Sequence, residues 1–238
     1  MLLTMKRVNL YLSIILLGLL IMTSCKKNGF TVEGDFKNCR YTVAAIEEVK
    51  PYEIVSLDTI LIVNGKLTHH VESLEKSFYC IRFNDTLSVT FIAGDKDNIF
   101  IEGDLRDIKN TQVIKGNEES VLFLEVNRKV YEMYKITDSL SKIFVQYQES
   151  EQFDSVRTVL DSCYYTHFRY YKTYLQDFIL QHPNKLASIS AFYQKIGHRS
   201  FFDRFEDREL LEKMTHELSI SYPNNQHVVA LKEKLKNE

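Results

Sequence analysis

The sequence is poor in the residues that mark fibrous, disordered and nucleic-acid-binding proteins. It has 3 prolines and 8 glycines among 238 residues, which excludes a collagen-like or low-complexity chain because such chains depend on both. Its 30 basic residues are matched by 32 acidic ones, for a net charge of −2. Since no excess positive charge is available to neutralise a phosphate backbone, we predict no nucleic-acid partner. With 45% hydrophobic residues, the chain has enough apolar side chains for one large or two modest domains.

Catalytic signatures are also missing. No C-x-x-C motif occurs, which argues against a thioredoxin-type redox site or a zinc knuckle. The chain has no G-x-S-x-G motif and no glycine-rich loop between a strand and a helix, so the nucleophile-elbow and phosphate-binding signals are absent as well. The sequence therefore predicts a protein that is not an enzyme and that uses no cofactor.

The four cysteines are spread along the chain as Cys25, Cys39, Cys80 and Cys163. Cys39 and Cys80 fall in strand-like segments, where they either form a disulfide or remain as buried free thiols. Cys163 lies among apolar and aromatic neighbours of a predicted helix, and we expect it to pack there.

Metal-binding patterns are weak. His69 and His70 are adjacent in a strand-like run, so their side chains point to opposite faces and cannot hold one ion together. The phase of the strand predicts a packed His69 and a solvated His70. Residues 95–98 (DKDN) superficially resemble a calcium loop, but a lysine interrupts the oxygen ligands and a strand follows at once. We predict a solvated hairpin turn there and no metal site.

The N-terminus has the features of a bacterial lipoprotein signal. Lys6 and Arg7 precede an uncharged, largely apolar stretch at 8–24, which is too short for a permanent membrane anchor. Residues 20–25 (LIMTSC) resemble a lipobox, in which the cysteine thiol is acylated and becomes the first mature residue. We predict a signal peptide at 1–24 and a lipid-anchored Cys25. The alternative is an ordinary signal peptide with an incidental cysteine.

The predicted anchor also implies a location. A lipidated tether at 25–29 would attach the protein to membrane lipid in the cell envelope. Lys26 and Lys27 follow the cysteine without an acidic run, so there is no sign of a surface-export tag. We therefore expect the protein at the outer membrane, facing the periplasm.

Residues 30–116 have the period-two pattern of strands. Phe30, Val32 and Phe36 alternate with polar residues, which places one face of a strand on a core and the other in water. Asn64-Gly65 is a strong hairpin signal, because both residues tolerate positive φ. The pattern predicts an antiparallel β-sandwich or partly open barrel. We expect strands at 30–36, 41–46, 54–63, 66–71, 78–83, 87–92 and 98–102.

Residues 117–238 have a helical period, which makes the fold class α+β. Asn117 is a suitable N-cap, and Glu118 and Glu119 suit the first turn of a helix. Two long helices, separated by the polar residues 148–152, are expected to form an antiparallel hairpin. Shorter helices are predicted near 185–196, 204–220 and 225–237. The predicted seam of the first long helix is Phe123, Val126, Val130, Met133, Thr137, Leu140, Phe144 and Tyr147. The predicted stripe of the second is Val156, Leu160, Cys163, His167, Tyr170, Tyr174 and Phe178.

The second long helix has more aromatic residues than one stripe can hold. Either some of them form an exposed docking or sugar-stacking surface, or the helix is buried on two sides. We favour burial, since tryptophan, which is common at docking hot spots, is absent from the sequence.

The β half also contains a rhythm of short phrases at 30–36 (FTVEGDF), 57–59 (LDT), 64–67 (NGKL), 91–95 (FIAGD), 99–104 (IFIEGD) and 114–117 (IKGN). This rhythm resembles the N-terminal β domain of the domain of unknown function 4369 family, found in Bacteroidetes lipoproteins. The resemblance implies that a helical segment follows and then a thioredoxin-like domain with redox cysteines. The present sequence ends at Glu238, where that last domain would be expected to begin.

Two functions are compatible with these features. The first is a membrane-anchored, non-catalytic binding or accessory module that holds an envelope protein partner. The second, which rests on the family resemblance alone, is an accessory subunit or remnant of a thiol:disulfide interchange system.

Overall fold

The long strands of the structure precede residue 116 and the long helices follow it, at the position where the period of the sequence changes. In a computed structural model, which describes residues 28–73 and 75–236, the chain is α+β. The predicted signal peptide and Cys25 lie outside the described residues. The strands of the N-terminal half are β1 Phe30–Lys37, β2 Val43–Val49, β3 Ile54–Leu61, β4 Lys66–Val71, β5 Ser77–Arg82, β6 Ser88–Ala93, β7 Asn98–Asp104 and β8 Val113–Lys115.

These strands form two sheets that pack face to face as a sandwich, not a barrel. Sheet I has the strand order β4-β1-β7-β8, and sheet II has the order β3-β2-β5-β6. Alternate side chains of both sheets meet between them, and the core residues Val32, Ile46 and Phe91 are fully buried. The inward and outward alternation of β1 is the one that its sequence predicts.

The prediction of a purely antiparallel sandwich is wrong at one pair of strands. β1 and β7 run parallel, in register from Thr31 with Asn98 to Lys37 with Asp104. The reason is that the segment between β6 and β7 crosses from sheet II to sheet I. Residues 95–98 are therefore not the predicted hairpin turn but part of a crossing loop between the sheets. Alternation along a strand reports which face is buried and not the direction of its neighbour.

The helices are α1 Ile108–Thr111, α2 Glu118–Tyr147, α3 Phe153–Gln181, α4 Leu186–Phe192, α5 Arg208–Ser221 and α6 Gln226–Lys236. Asn117 is confirmed as the N-cap of α2, since its Oδ1 accepts a hydrogen bond from the Ser120 amide at 2.7 Å. The antiparallel α2–α3 hairpin is confirmed as well. Tyr174 of α3 donates a hydrogen bond to Glu125 of α2 at 2.6 Å, and the Phe144 ring packs on that of Phe153 at the far end.

The helices form a third layer on the outer face of sheet II. Phe78 of β5 and Ile92 of β6 point away from the sandwich and join the same apolar core as Phe123 of α2. Because that core is shared, the sandwich and the helices are packed together through the middle sheet.

The predicted stripe of α3 is rotated relative to the buried face. Tyr170, predicted to pack, is 56% exposed, whereas Phe168, Tyr171 and Leu175 are buried. The helix contacts α2, α4 and α5, so it buries a broader face than a two-helix seam requires. The favoured burial of its aromatic residues holds for Phe168, Tyr171 and Phe178, whereas Tyr165, at 47% exposed, and Tyr170 remain on the surface.

Short elements were not predicted. These are α1, β8 and a two-stranded hairpin of β9 Lys195–Ile196 and β10 Arg199–Ser200. The hairpin begins where the predicted helix at 185–196 was expected to continue, and its turn contains Gly197 at a φ of +57°. Within residues 28–73 and 75–236, no helix is long and apolar enough to cross a bilayer.

Candidate functional site

A cleft lies where the sandwich meets the helical layer. Its walls come from β6, α1, α2 and the β9–β10 hairpin, and its volume is about 340 Å³. This volume is at the small end of the range for small-molecule sites, which often lie between packed units. We refer to this pocket as the interlayer cleft.

The floor of the interlayer cleft is apolar. Phe123 and Val130 of α2 and Ile196 of β9 line it and are each buried. One wall is aromatic, because Tyr131 and Tyr134 are three residues apart on α2 and so share a face of the helix. Their rings are stacked, with centroids 5.9 Å apart and an angle of 9° between planes. The Tyr134 side of this stack is open to solvent.

The rim of the interlayer cleft is polar. Gln194 donates hydrogen bonds from Nε2 to Asn127 Oδ1 and to Ser190 Oγ, each at 3.2 Å. Ser88 and Thr90 of β6 add hydroxyl groups from the outer face of sheet II. These neutral groups can orient a ligand by hydrogen bonds without carrying out acid–base chemistry at ordinary pH.

The α2 wall is fixed by bonds at the start of the helix. Asn117 Nδ2 donates to the Ile92 carbonyl at 2.9 Å, and Ser120 Oγ accepts from the Ile92 amide at 3.0 Å. The first turn of α2 is thereby attached to the end of β6, so the position of β6 sets that of Tyr131 and Tyr134 farther along.

A buried carboxylate fixes α4, which leads into β9. Glu119 of α2 is 2% exposed and accepts hydrogen bonds from the Leu186 and Ala187 amides, each at 3.2 Å. The Tyr222 hydroxyl donates to the same carboxylate at 2.7 Å. Burial raises the pKa of Tyr222 above its usual value, which keeps the hydroxyl protonated as a donor.

A histidine holds α6 against sheet II. His227 Nε2 lies 2.9 Å from the Val49 carbonyl, and its ring packs on Phe78 with centroids 4.8 Å apart. Burial lowers the pKa of His227, so its neutral form, donating from Nε2, is the one that fits this position.

A second pocket lies at the opposite end of the sandwich, beside Gly29. It is larger, about 810 Å³, and is lined by His69, His70 and several carboxylates. Its charged groups are occupied locally: Asp58 lies 3.2 Å from His69 Nε2, and Asp95 accepts from the Gly29 amide at 2.9 Å. These carboxylates hold strands and the crossing loop together, so we do not take this pocket as the functional site.

His69, His70 and the crossing loop have the exposure and hydrogen bonds of structural residues. His69 is half-buried and His70 is exposed, as the strand phase predicts. Asp97 of the crossing loop accepts hydrogen bonds from the Gly94 amide at 3.0 Å and from Asn117 Nδ2 at 2.6 Å. Among the described residues, no group of three or more His, Cys, Asp or Glu side chains is placed to bind a metal ion.

The described cysteines are free thiols. Cys80 is 2% exposed, Cys163 is half-buried on α3, and Cys39 Sγ lies 3.5 Å from the Tyr41 carbonyl oxygen. Of the two alternatives for Cys39 and Cys80, the structure has the free thiols. Cys25, the predicted lipidation site, is outside the described residues.

The cleft residues were not identified from the sequence. They come from four separate segments of the chain, and Tyr131 and Tyr134 lie outside the predicted seam of α2. The signal available was this aromatic pair at helical spacing, out of phase with the seam, and it points to a second use of the helix surface.

Comparisons with known proteins leave the geometry as the main guide to function. No family model, no curated protein and no solved structure matches the chain. The resemblance to the domain of unknown function 4369 family stays a prediction.

Proposed function

We propose that the protein is a membrane-anchored periplasmic lipoprotein that acts as a non-catalytic binding module, with the interlayer cleft as its binding site. The observation that carries this proposal is the cleft itself, a preformed pocket lined by apolar side chains, neutral polar groups and two lysines. Such a lining suits the holding of a ligand, since its polar side chains are amides, hydroxyls and lysine ammonium groups and include no carboxylate or histidine.

The position of the cleft agrees with an anchor at Cys25. The chain enters the sandwich at Gly29, beside the crossing loop, where the Thr31 amide donates to the Asp97 carbonyl at 2.9 Å. β7 leads away from that loop to α1 at the other end of the strands. Since strands of this length span about 20 Å, α1 and the Ser88 end of the cleft lie well away from the point where a lipid anchor would attach. An anchored protein would therefore leave the cleft accessible.

Lipidation is tested by metabolic labelling. Cells given a clickable fatty acid should label the wild-type chain and not the Cys25→Ser variant, because the thiol is the acylated group. Equal labelling of both proteins would refute the lipoprotein proposal, whatever the cleft binds.

Binding is tested with an aromatic probe and a blocked cleft. The chain from Lys26 to Glu238 should bind one molecule of 8-anilinonaphthalene-1-sulfonate in isothermal titration calorimetry. Ser88→Trp places a large ring at the cleft and should abolish that binding. Ser56→Trp, on the exposed face of β3, is the matched control and should bind as wild type does. Equal binding by both variants, or no binding by the wild type, would refute the cleft as the site.

The non-catalytic part of the proposal concerns thiol chemistry most directly. Disulfide exchange needs an accessible thiolate, and of the described cysteines Cys80 is buried while Cys39 and Cys163 are half-buried. We expect no insulin reduction above that of the triple Cys39, Cys80 and Cys163→Ser variant. Turnover above that level would favour the alternative function in a thiol:disulfide interchange system.

A further inference from the structure

We propose that the ligand of the interlayer cleft is an organic anion with a flat apolar body, such as an aromatic carboxylate, sulfate or phosphate ester. This inference rests on the proposed function, because it assigns a ligand class to the same cleft. It is carried by the combination of charge and shape in the lining.

The charge of the cleft differs from that of the chain. The chain has a net charge of −2, yet the lining includes Lys109 and Lys195 and no aspartate or glutamate. The pocket beside Gly29, by contrast, contains the carboxylates of Asp58 and Asp95. A cleft lined by basic side chains and by no acidic ones attracts anions and disfavours cations.

The lysines at the cleft are not neutralised by protein carboxylates. On the same helix, Lys129 pairs with Glu132 at 2.9 Å and Lys142 pairs with Asp138 at 2.6 Å. Lys109 and Lys135 lie instead over the Tyr131 ring, 5.7 and 5.3 Å from its centroid. Neither of these two, nor Lys195, forms a salt bridge with a described acidic residue.

Lys109 and Lys195, which line the cleft, therefore keep hydrogen-bond donors for a ligand, whereas Lys135 Nζ lies 3.5 Å from Asn110 Oδ1 and has one donor engaged. A cation over an exposed aromatic face is held only weakly, and its N–H groups are not consumed by the contact. Arg128 adds a further positive group near α1, where its guanidinium donates to the Gln112 carbonyl.

The shape of the cleft restricts the anion to one with an apolar body. Phe123, Val130 and Ile196 form a floor that an inorganic ion would leave uncovered. The Tyr134 ring, which stacks on Tyr131 and is 54% exposed, offers a flat surface against which a ring system packs well. A neutral aromatic ligand would fill the floor but would leave the lysines unused.

Two probes with the same ring skeleton test this assignment. 8-Anilinonaphthalene-1-sulfonate carries one sulfonate, and N-phenyl-1-naphthylamine is its uncharged counterpart. We expect the chain from Lys26 to Glu238 to bind the sulfonate about tenfold more tightly in calorimetric titrations. Added salt should weaken binding of the sulfonate and leave that of the neutral probe unchanged.

Lysine variants locate the source of the preference. Lys109→Met and Lys195→Met should each weaken binding of the sulfonate by about three- to tenfold and leave the neutral probe unaffected. Lys213→Met, which removes an equal charge on the exposed side of α5, is the matched control and should change neither affinity. Circular dichroism and melting curves establish that each variant is folded.

The outcomes separate this inference from the proposed function. The cleft stands as a binding site if the sulfonate binds and Ser88→Trp abolishes its binding. The anion assignment is then wrong if the two probes bind equally or if the lysine variants have no effect. If Ser88→Trp does not reduce binding of the sulfonate, both proposals are wrong.

Discussion

The base and the tip of the α2–α3 hairpin differ in what covers them. At the base, Val126 and Met133 of α2 are fully buried, because sheet II, α4 and α5 complete the layers around the two helices. At the tip, Val145 is 60% exposed and Val159 is 66% exposed. The base therefore supplies the stable core and one wall of the interlayer cleft, whereas the tip is a pair of helices without a third layer. A helix pair of this kind depends on its junction with the base for most of its stability.

Charge substitutions on α2 should show the largest contrast between base and tip. Met133→Asp places an uncompensated carboxylate in the core and should lower the free energy of unfolding by at least about 3 kcal/mol. Val145→Asp, at the exposed tip of the same helix, should change it by less than about 0.5 kcal/mol. Urea denaturation of the two variants measures both effects. Similar losses at the two positions would contradict the difference in packing.

A buried hydrogen-bond network should give the next largest effect. Glu119→Gln keeps the size of the side chain but replaces one acceptor oxygen with an amide donor. Because the Leu186 and Ala187 amides bond to different oxygens of Glu119, one of them then faces a donor. We expect a loss of about 2 kcal/mol in the free energy of unfolding. Glu151→Gln, in the exposed turn at the tip, is the matched control and should be within about 0.5 kcal/mol of wild type. Equal values for the two variants would refute the role given to Glu119.

The free energy of unfolding should also depend on pH through His227. Because burial lowers its pKa in the folded state, the unfolded chain binds a proton more readily. The stabilisation is complete above the unfolded pKa of about 6.5 and decreases as the pH falls below it. His227→Gln should therefore reduce the dependence of unfolding free energy on pH between about pH 5 and pH 7. Glu48, which acts in the opposite direction on His227, stays in place in this variant. An unchanged slope would contradict the assignment.

Much of the fold could be predicted from the spacing of apolar residues in the sequence. That spacing identifies which face of a strand or a helix is apolar. Asn117 as the N-cap, the hairpin and the alternation of β1 could be predicted from neighbouring residues alone. The seam of α2 was predicted along the whole helix, yet Phe144 is 39% exposed while Met133 is fully buried. Period identifies the side of a helix that is apolar, but burial depends on distant segments that complete the layer.

The site was harder to predict than the fold for a related reason. Ser88, Lys109, Tyr131 and Ile196 are far apart in the sequence and meet only because the crossing loop and the shared core bring β6, α1, α2 and β9 together. The parallel pairing of β1 and β7 depends on that same crossing. No local sequence pattern predicts these contacts, because they depend on the order in which successive strands are placed in the two sheets.

The central claim is that ligands bind at the base of the hairpin and not at its exposed apolar tip. Amide shift mapping of the ¹⁵N-labelled chain from Lys26 to Glu238 tests it, with 8-anilinonaphthalene-1-sulfonate added in steps. We predict the largest shift changes at Thr90, Gln194 and Gly197, which line the interlayer cleft, with little change at Val145 and Val159. Changes concentrated at the tip, with the cleft amides unmoved, would contradict the account.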